Sequence, residues 1–333
     1  MNNVFKILGC AIVSIAFVAG VEAKTLKFAT LAPAGTTWMK EMKAGAEQIK
    51  QRTEGRVKLK FYPGGVMGND QSVHRKIKIG QLHGGAFTQV GLAQVYPGIQ
   101  VLGMPMLFRS LEEVHYVREH IDVVLKREME AAGFVLLGIS EGGFARILSK
   151  QPMQDLESLR SSKIWLPEGD EVGLTAFRGL GITPISLSIA DVFTGLQTGL
   201  IETVPVNPTS AIAFQWHSNM AYMTDVPINF LIGLLAVRKS VFDKLSTEDQ
   251  AVMREEMDVV FKRLDKINRI DDEAAKAALQ QQGITFVMPH PGEIERWRKI
   301  ADQSIDAMVE SGVMPASIVE QVREHLQSFR DKQ

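Results

Sequence analysis

Apolar and polar positions alternate with a period of two from Leu26 to Thr30, change to helical spacing through Trp38, Met42, Ala46 and Ile49, and alternate again at Val57, Leu59 and Phe61. Strand, helix and strand in that order predict a parallel sheet with crossover helices, the first helix ending at Gly55. A glycine-rich loop follows, Pro63-Gly64-Gly65-Val66-Met67-Gly68-Asn69-Asp70, in which Asp70 is expected to cap a helix carrying Val73 and Ile77. Residues 84–89 then read as a short strand whose polar end falls where parallel sheets place their ligands. A helix over 110–132 puts Leu111, Val114, Val117, Ile121 and Val124 on one face and stops at Gly133. Beyond it the chain predicts a strand at 134–139, a helical turn at 154–160 and a strand at 163–166. A helix at 171–178 and a strand at 182–187 follow, then a capping box from Ser188 to Asp191 that opens a helix ending at Gly199, and a strand at 202–206. This second series has the same character as the first.

A strand pair or one long strand is expected over 227–237. Ser246 then caps a helix whose apolar residues Met253, Met257, Val260, Phe261, Leu264 and Ile267 keep the 3.6 period until Gly283. Such a helix reaches about 50 Å at roughly 1.5 Å per residue, enough to cross two domains. A strand at 284–288 and helices at 293–311 and 315–330 close the chain. The pattern predicts an α/β protein of two domains, residues 24–145 with about 233–272 in one and 146–232 with about 273–333 in the other, given the usual size of a domain. Strands and the long helix would join them, because no flexible linker is visible.

Composition changes the picture at the N-terminus. Asn2, Asn3 and Lys6 precede an apolar run from Ile7 to Gly20, and Val21-Glu22-Ala23 offers small residues before a cut near Lys24, the features of a cleaved export signal at 1–23. The run is shorter than the roughly 20 residues that span a bilayer, so the mature chain is expected to be exported and soluble. Cys10 is the sole cysteine of the 333 residues, and its loss with the leader excludes a cysteine nucleophile or a thiolate metal site. With 37 basic and 38 acidic residues there is no electrostatic case for nucleic acid. Glu112, His115 and Glu119 share a helix face but read as its solvated side, so no metal and no cofactor is expected. The glycine-rich loop lacks the ending of a P-loop. In the segments assigned to the cleft no GxSxG, HExxH or close acid pair supports an exported hydrolase or lyase.

Several stretches in order carry a resemblance: Phe61 to Gly68, Met104-Pro105-Met106-Leu107-Phe108, Asp155 to Pro167, Asp191 to Gly199 and Val206-Asn207-Pro208. Together with the export signal they resemble the DctP-type substrate-binding proteins of TRAP (tripartite ATP-independent periplasmic) transporters, over nearly all of the mature chain. The resemblance implies a two-domain periplasmic-binding-protein-like fold with a strand hinge and a long bracing helix. It also implies closure on a small-molecule solute and delivery to a small and a large integral membrane subunit, the receptor itself being a monomer. A sensory receptor that docks on a chemoreceptor or kinase is the alternative.

Members of that family mostly bind organic acids, and the resemblance implies that the strand at Lys163-Ile164-Trp165-Leu166-Pro167 would carry an arginine that grips the ligand carboxylate. Here the position is Trp165. An indole offers one N–H and no charge, so it does not replace a bidentate pair. Arg146 of Gly143-Phe144-Ala145-Arg146 stands one residue from a second family arginine and would reach the cleft only through a backbone bulge. Otherwise the ligand is less anionic and more apolar, an aromatic or apolar carboxylate, with Trp165, Phe87, Phe144 and Phe193 as a stacking wall. Trp165 as a plain core residue beneath the cleft is the remaining possibility. The resemblance places Asn207 at a ligand-bonding position, with Thr88, Gln89, Thr37 and Asp70 near others by register.

Overall fold

The first strands form where the sequence pattern predicts them, and the two longest strands do something the pattern does not announce: each runs through both halves of the molecule. The computed structural model describes residues 23–332. The expected export leader lies, but for Ala23, outside the described residues. Nine strands are described, β1 (Lys24–Thr30), β2 (Val57–Tyr62), β3 (Gly84–Thr88), β4 (Phe134–Ser149), β5 (Trp165–Pro167), β6 (Ile185–Leu187), β7 (Thr203–Val206), β8 (Tyr222–Arg238) and β9 (Thr285–Val287). The main sheet is ordered β2-β1-β3-β8-β4-β7 with β9 also on β8, while β5 and β6 pair separately in parallel. A single bridge from Ile164 to Thr203 ties the small sheet to the edge strand β7.

β1, β2 and β3 are parallel as expected, β8 joins β3 antiparallel, and β4 pairs antiparallel with β8. The β4–β8 ladder breaks register at Leu136/Gly138, Glu141/Gly143 and Ala145/Ile147. Each break bends the strand and raises its twist, so the two ends of one strand serve two differently oriented sheet regions. Residues 233–237 of β8 also pair with β3, and residues 146–149 of β4 also pair with β7. Residues 227–237, expected as a strand pair or one strand, belong to a single strand that begins earlier, at Tyr222.

The helix Thr247–Gln281 has 35 residues, about 52 Å at ~1.5 Å each. Its first half buries Met253, Met257, Val260, Phe261 and Leu264 against β1, β4 and β8, and its last turns bury Ala275 and Leu279, Leu279 in the other core. Between them the helix is polar where it crosses the bulged strands. Asp265 accepts from the Glu141 backbone N–H at 2.8 Å and Asn268 donates to the Glu141 carbonyl at 2.6 Å. Backbone groups beside the bulge thereby keep partners. Gly138 is required here because a Cβ would stand 2.1 Å from the Phe261 ring.

The last helix, Ala316–Arg330, departs from the expected grouping of 273–333 with the second half. Ile318, Val319, Val322 and Leu326 pack into the core that holds Val114, Val117, Ile121 and Leu125 of Leu111–Ala131. Arg330 donates to Glu113 at 2.7 Å across that contact. Among the described residues no helix is long and apolar enough to cross a membrane.

Candidate functional site

A cavity of about 960 Å³ opens between the C-terminal ends of β1 and β3 on one side and β5, β7 and the helices after them on the other. The crossing strands β4 and β8 form its floor, with the long helix contributing Asn268 and Asp271. Seven residues singled out from sequence line it, namely Thr37, Asp70, Phe87, Thr88, Gln89, Trp165 and Asn207. Phe144, Arg146 and Phe193 are not among its lining residues.

Trp165 faces the cavity and is also part of a packed core, only 4% exposed. Its indole N–H donates to the Leu187 carbonyl at 3.0 Å, so the one polar handle of this side chain is used within the protein. The ring meets Trp216 edge-on, with centroids 5.2 Å apart at 73°, and Trp216 stacks on Phe214 at 5.3 Å and 25°. All three rings line the cavity. The aromatic wall therefore exists, but with Trp216 and Phe214 in place of Phe144 and Phe193. Phe144 packs edge-on against Phe230 at 5.3 Å in the core, and Phe193 packs against the core of the second half. Trp216 escaped the sequence reading because it sits in a short 3-10 turn entered through Gln215 at φ 58°, where no periodicity marks a face.

Arg146 sits in the expected irregularity of β4 but is turned to acids behind the wall. Its Nε donates to Asp225 at 2.7 Å, and Nη1 lies 3.8 Å from Asp272. Lys276 donates to the other Asp225 oxygen at 2.6 Å. Burial pushes the Asp225 carboxyl up, but the bonds from Lys276 and Arg146 outweigh it and hold it below the usual range. The arginine is thus committed to a structural cluster, which corrects the idea that it takes over an anion in the cleft.

The polar residues of the wall divide into engaged and unengaged groups. Gln89 donates to the Phe230 carbonyl at 3.2 Å and accepts from the Ile232 N–H at 3.0 Å, bracing β8. Thr88 accepts from the Gly91 N–H at 3.3 Å. Thr37 opens the first helix beside its capping residue Thr36. Asp170 accepts from the Gly173 N–H at 3.0 Å and from Gln100 at 2.9 Å, and burial still raises its pKa above the ordinary value. The Asn207 amide nitrogen donates to the Gly142 carbonyl. Its Oδ1, like that of Asn229, is buried with no protein partner.

Asp70 differs from its expected role. The cap is Asn69, whose side chain accepts from the Ser72 N–H at 3.1 Å, and Asp70 is the first helical residue of Asp70–Lys78. Released from capping, its carboxyl lies against Gly91, where a Cβ would come within 2.6 Å of it. Burial alone pushes it up to about 6. His74, one turn on, offers no compensating charge: burial lowers its pKa first of all, and its Nε2 sits 2.6 Å from the Gly91 carbonyl.

The acids of the wall are Asp70, Glu141, Asp170 and Asp271, and among the described residues lining the cavity there is no lysine, arginine or histidine. Glu141 is 3% exposed on its side chain and is matched by Arg118 at 3.1 Å and Arg269 at 2.8 Å, while His115 Nε2 lies 2.9 Å away without forming a hydrogen bond. Burial raises its pKa, but Arg269 and Arg118 hold it below the usual carboxylate range. His115, read from sequence as solvated, reaches into this cluster. Among the described residues no three His, Cys, Asp or Glu are placed to hold a metal ion.

The family model for bacterial extracellular solute-binding proteins, family 7 (DctP), matches residues 28–311. The chain is 27% identical over 209 residues to the 2,3-diketo-L-gulonate-binding periplasmic protein YiaO of Escherichia coli (strain K12), covering 62% of this chain and 63% of the relative. It is 27% identical over 214 residues to the uncharacterized protein YiiZ of Salmonella typhimurium, covering 62% of this chain and 64% of the relative. The chain thus spans under two thirds of the length of either. The sugar acid binding protein DctPAm of Advenella mimigardefordensis, solved in complex with galactonate, superposes with a TM-score of 0.85 at 19% identity, covering 92% of this chain and 99% of that one.

Proposed function

The chain belongs to the bacterial extracellular solute-binding proteins, family 7, and from that premise we propose that it is the periplasmic receptor of a TRAP-type transporter. In this reading it closes on one small organic solute and delivers it to a small and a large membrane subunit. The family is one of solute-binding proteins rather than of enzymes. The observation that carries the reading is the cavity of about 960 Å³ held between two sets of strand ends that share only bulged strands and one long helix. Such a connection lets two lobes rotate on a few residues while each keeps its own core. We take one lobe to be residues 24–145 and 233–272 with the last helix, and the other to be 146–232 with 273–310. The hydrogen bonds from Gln100 to Asp170 and from Asn69 to Glu168, 2.9 and 3.2 Å long, would then join the lobes in a closed form.

The rings of Trp165, Trp216 and Phe214 support a solute with an apolar or aromatic body. The carboxylate expected from sequence, like the acids bound by YiaO and DctPAm, meets no cation among the described lining residues. The apolar body is therefore the supported half of that expectation. To test the receptor reading, the full chain is purified from periplasm and denatured, and the released small molecule is identified by mass spectrometry. Returning it to stripped protein is expected to reduce the radius of gyration in small-angle scattering. A chain that releases no solute, and that no solute compacts, is not a receptor of this kind.

A further inference from the structure

The site holds unpartnered hydrogen-bond acceptors and, among the described lining residues, no positive charge. Asp70 is a half-buried carboxyl that accepts no bond from the described residues, and Asn207 and Asn229 each hold a buried Oδ1 without a partner among them. All three residues line the one cavity. Three of the donors that sequence pointed to are occupied: the Trp165 indole N–H by Leu187, the Gln89 amide by Phe230, and the Arg146 guanidinium by Asp225. Asp170 and Glu141 are acids as well, each already matched by protein donors. A carboxylate entering this space would shed its water without gaining a cation and would sit among like charges, a combination that is strongly unfavourable in a desolvated site. A group that donates hydrogen bonds meets the opposite situation. An ammonium can give a charge-assisted bond to a carboxylate, and aromatic faces attract cations.

We propose, resting on the receptor reading above, that the cavity takes a solute with an apolar or aromatic body and an amine or ammonium head, the head seated on the Asp70 carboxylate, and that it rejects carboxylates. The acceptors of Asn207 and Asn229 would take further donors of the same head or of a neutral hydroxyl. Trp165 has a clear part in this selection. It fills the place with a ring whose N–H is turned into the protein, so the wall presents bulk and no donor.

The test uses the full mature chain at pH 7.5 and four probes, 3-phenylpropylamine, 3-phenylpropanol, 3-phenylpropionate and D-galactonate, by thermal shift and titration calorimetry. The amine is expected to bind at least about tenfold more tightly than the alcohol, as an ion pair adds to the bond that either head gives the carboxylate, and the two acids are expected to give no shift. Asp70→Asn is expected to remove that advantage, weakening the amine by about tenfold or more and the alcohol by less, because only the amine loses an ion pair. Its circular dichroism and Tm report that it is folded. An acid that binds as tightly as the amine, or an Asp70→Asn protein that keeps the amine's advantage, overturns the proposal. If an acid binds and compacts the chain, the solute class falls and the receptor reading stands. If none of the four probes binds, the class falls, and the solute released from denatured protein decides the receptor reading independently.

Discussion

Replacing Asp70 by Asn should make the ligand-free protein more stable while making it a poorer binder. The side chain is not the helix cap, since Asn69 fills that place, and so its loss removes no structural bond. What it removes is the cost of keeping a carboxylate desolvated. In the folded chain burial pushes the group up to about 6, against roughly 3.9 in an unfolded chain, a difference worth about 3 kcal/mol. The N-terminal end of its helix offsets part of this, leaving a gain of about 1–3 kcal/mol. The sign follows from linkage. A carboxyl with a raised folded pKa favours folding while protonated and loses that advantage as pH rises from about 4 to 6, after which the deficit is constant. The gain in Asp70→Asn is therefore full at pH 8, shrinks below about 6 and vanishes near 4. In a chain of this size that is a rise in Tm of about 2–8 °C at pH 8. Thermal unfolding of both proteins from pH 4 to pH 8 checks it. A variant less stable than the parent at pH 8, or a gain independent of pH, would show that Asp70 is a structural partner and would refute the reasoning.

Trp165→Arg puts a guanidinium where the neighbours are Trp216 and Leu187 and no acid is bonded. It is expected to cost about 3–5 kcal/mol without ligand, as an unpaired buried charge does, and to create a stabilisation by 3-phenylpropionate that the parent lacks, which thermal scans with and without the acid would reveal. Glu141→Gln should cost about 1.5–3 kcal/mol at pH 7 through weakened bonds to Arg118 and Arg269. Because those partners hold Glu141 below the usual range, its contribution is present above about 4.3 and is lost as pH falls through the lower folded value. Urea curves of the two proteins should converge toward pH 3, and curves that stay parallel would contradict the pairing. Gly138→Ala drives a methyl to within 2.1 Å of the Phe261 ring and is expected to cost about 1–3 kcal/mol. Adding Phe261→Leu should recover part of that loss, and strict additivity of the two changes in urea denaturation would argue against the contact.

Much of the fold was legible because burial imposes period and period is local. The stretches Leu26 to Thr30 and Met253 to Leu264 announced their elements, and Gly133 and Gly283 mark helix ends at φ 93° and 92° where only glycine is comfortable. Long-range choices were less visible. Nothing local in residues 134–149 says that one strand will serve two regions of one sheet, because the change is made by register breaks against a partner some 90 residues away, and register is a property of the pair. The site shows the same division. Trp165 could be found from its setting in a short strand, and Asn207, just beyond β7, from the family resemblance. Competition between neighbours settled Asp70, Ser188 and Arg146. Asn69 took the cap from Asp70, Ser188 bonded the Asp191 side chain at 2.6 Å in place of a backbone amide, and Asp225 took Arg146. Side chains with two suitable partners are decided by geometry that spacing alone does not contain.

The return of Ala316–Arg330 to the first core has a consequence for how the chain is made. Val114, Val117 and Ile121 emerge from the ribosome in the first half of synthesis, but Ile318, Val319, Val322 and Leu326, which cover them, come near its end. Until then the earliest core has an open apolar flank, and such incomplete cores are what chaperones hold and what aggregates recruit. Folding of the first-made half is in this way postponed by the last-made helix. A nascent chain cut short before residue 316 should stay protease-sensitive throughout its first 145 residues, while release of the full chain should protect them together.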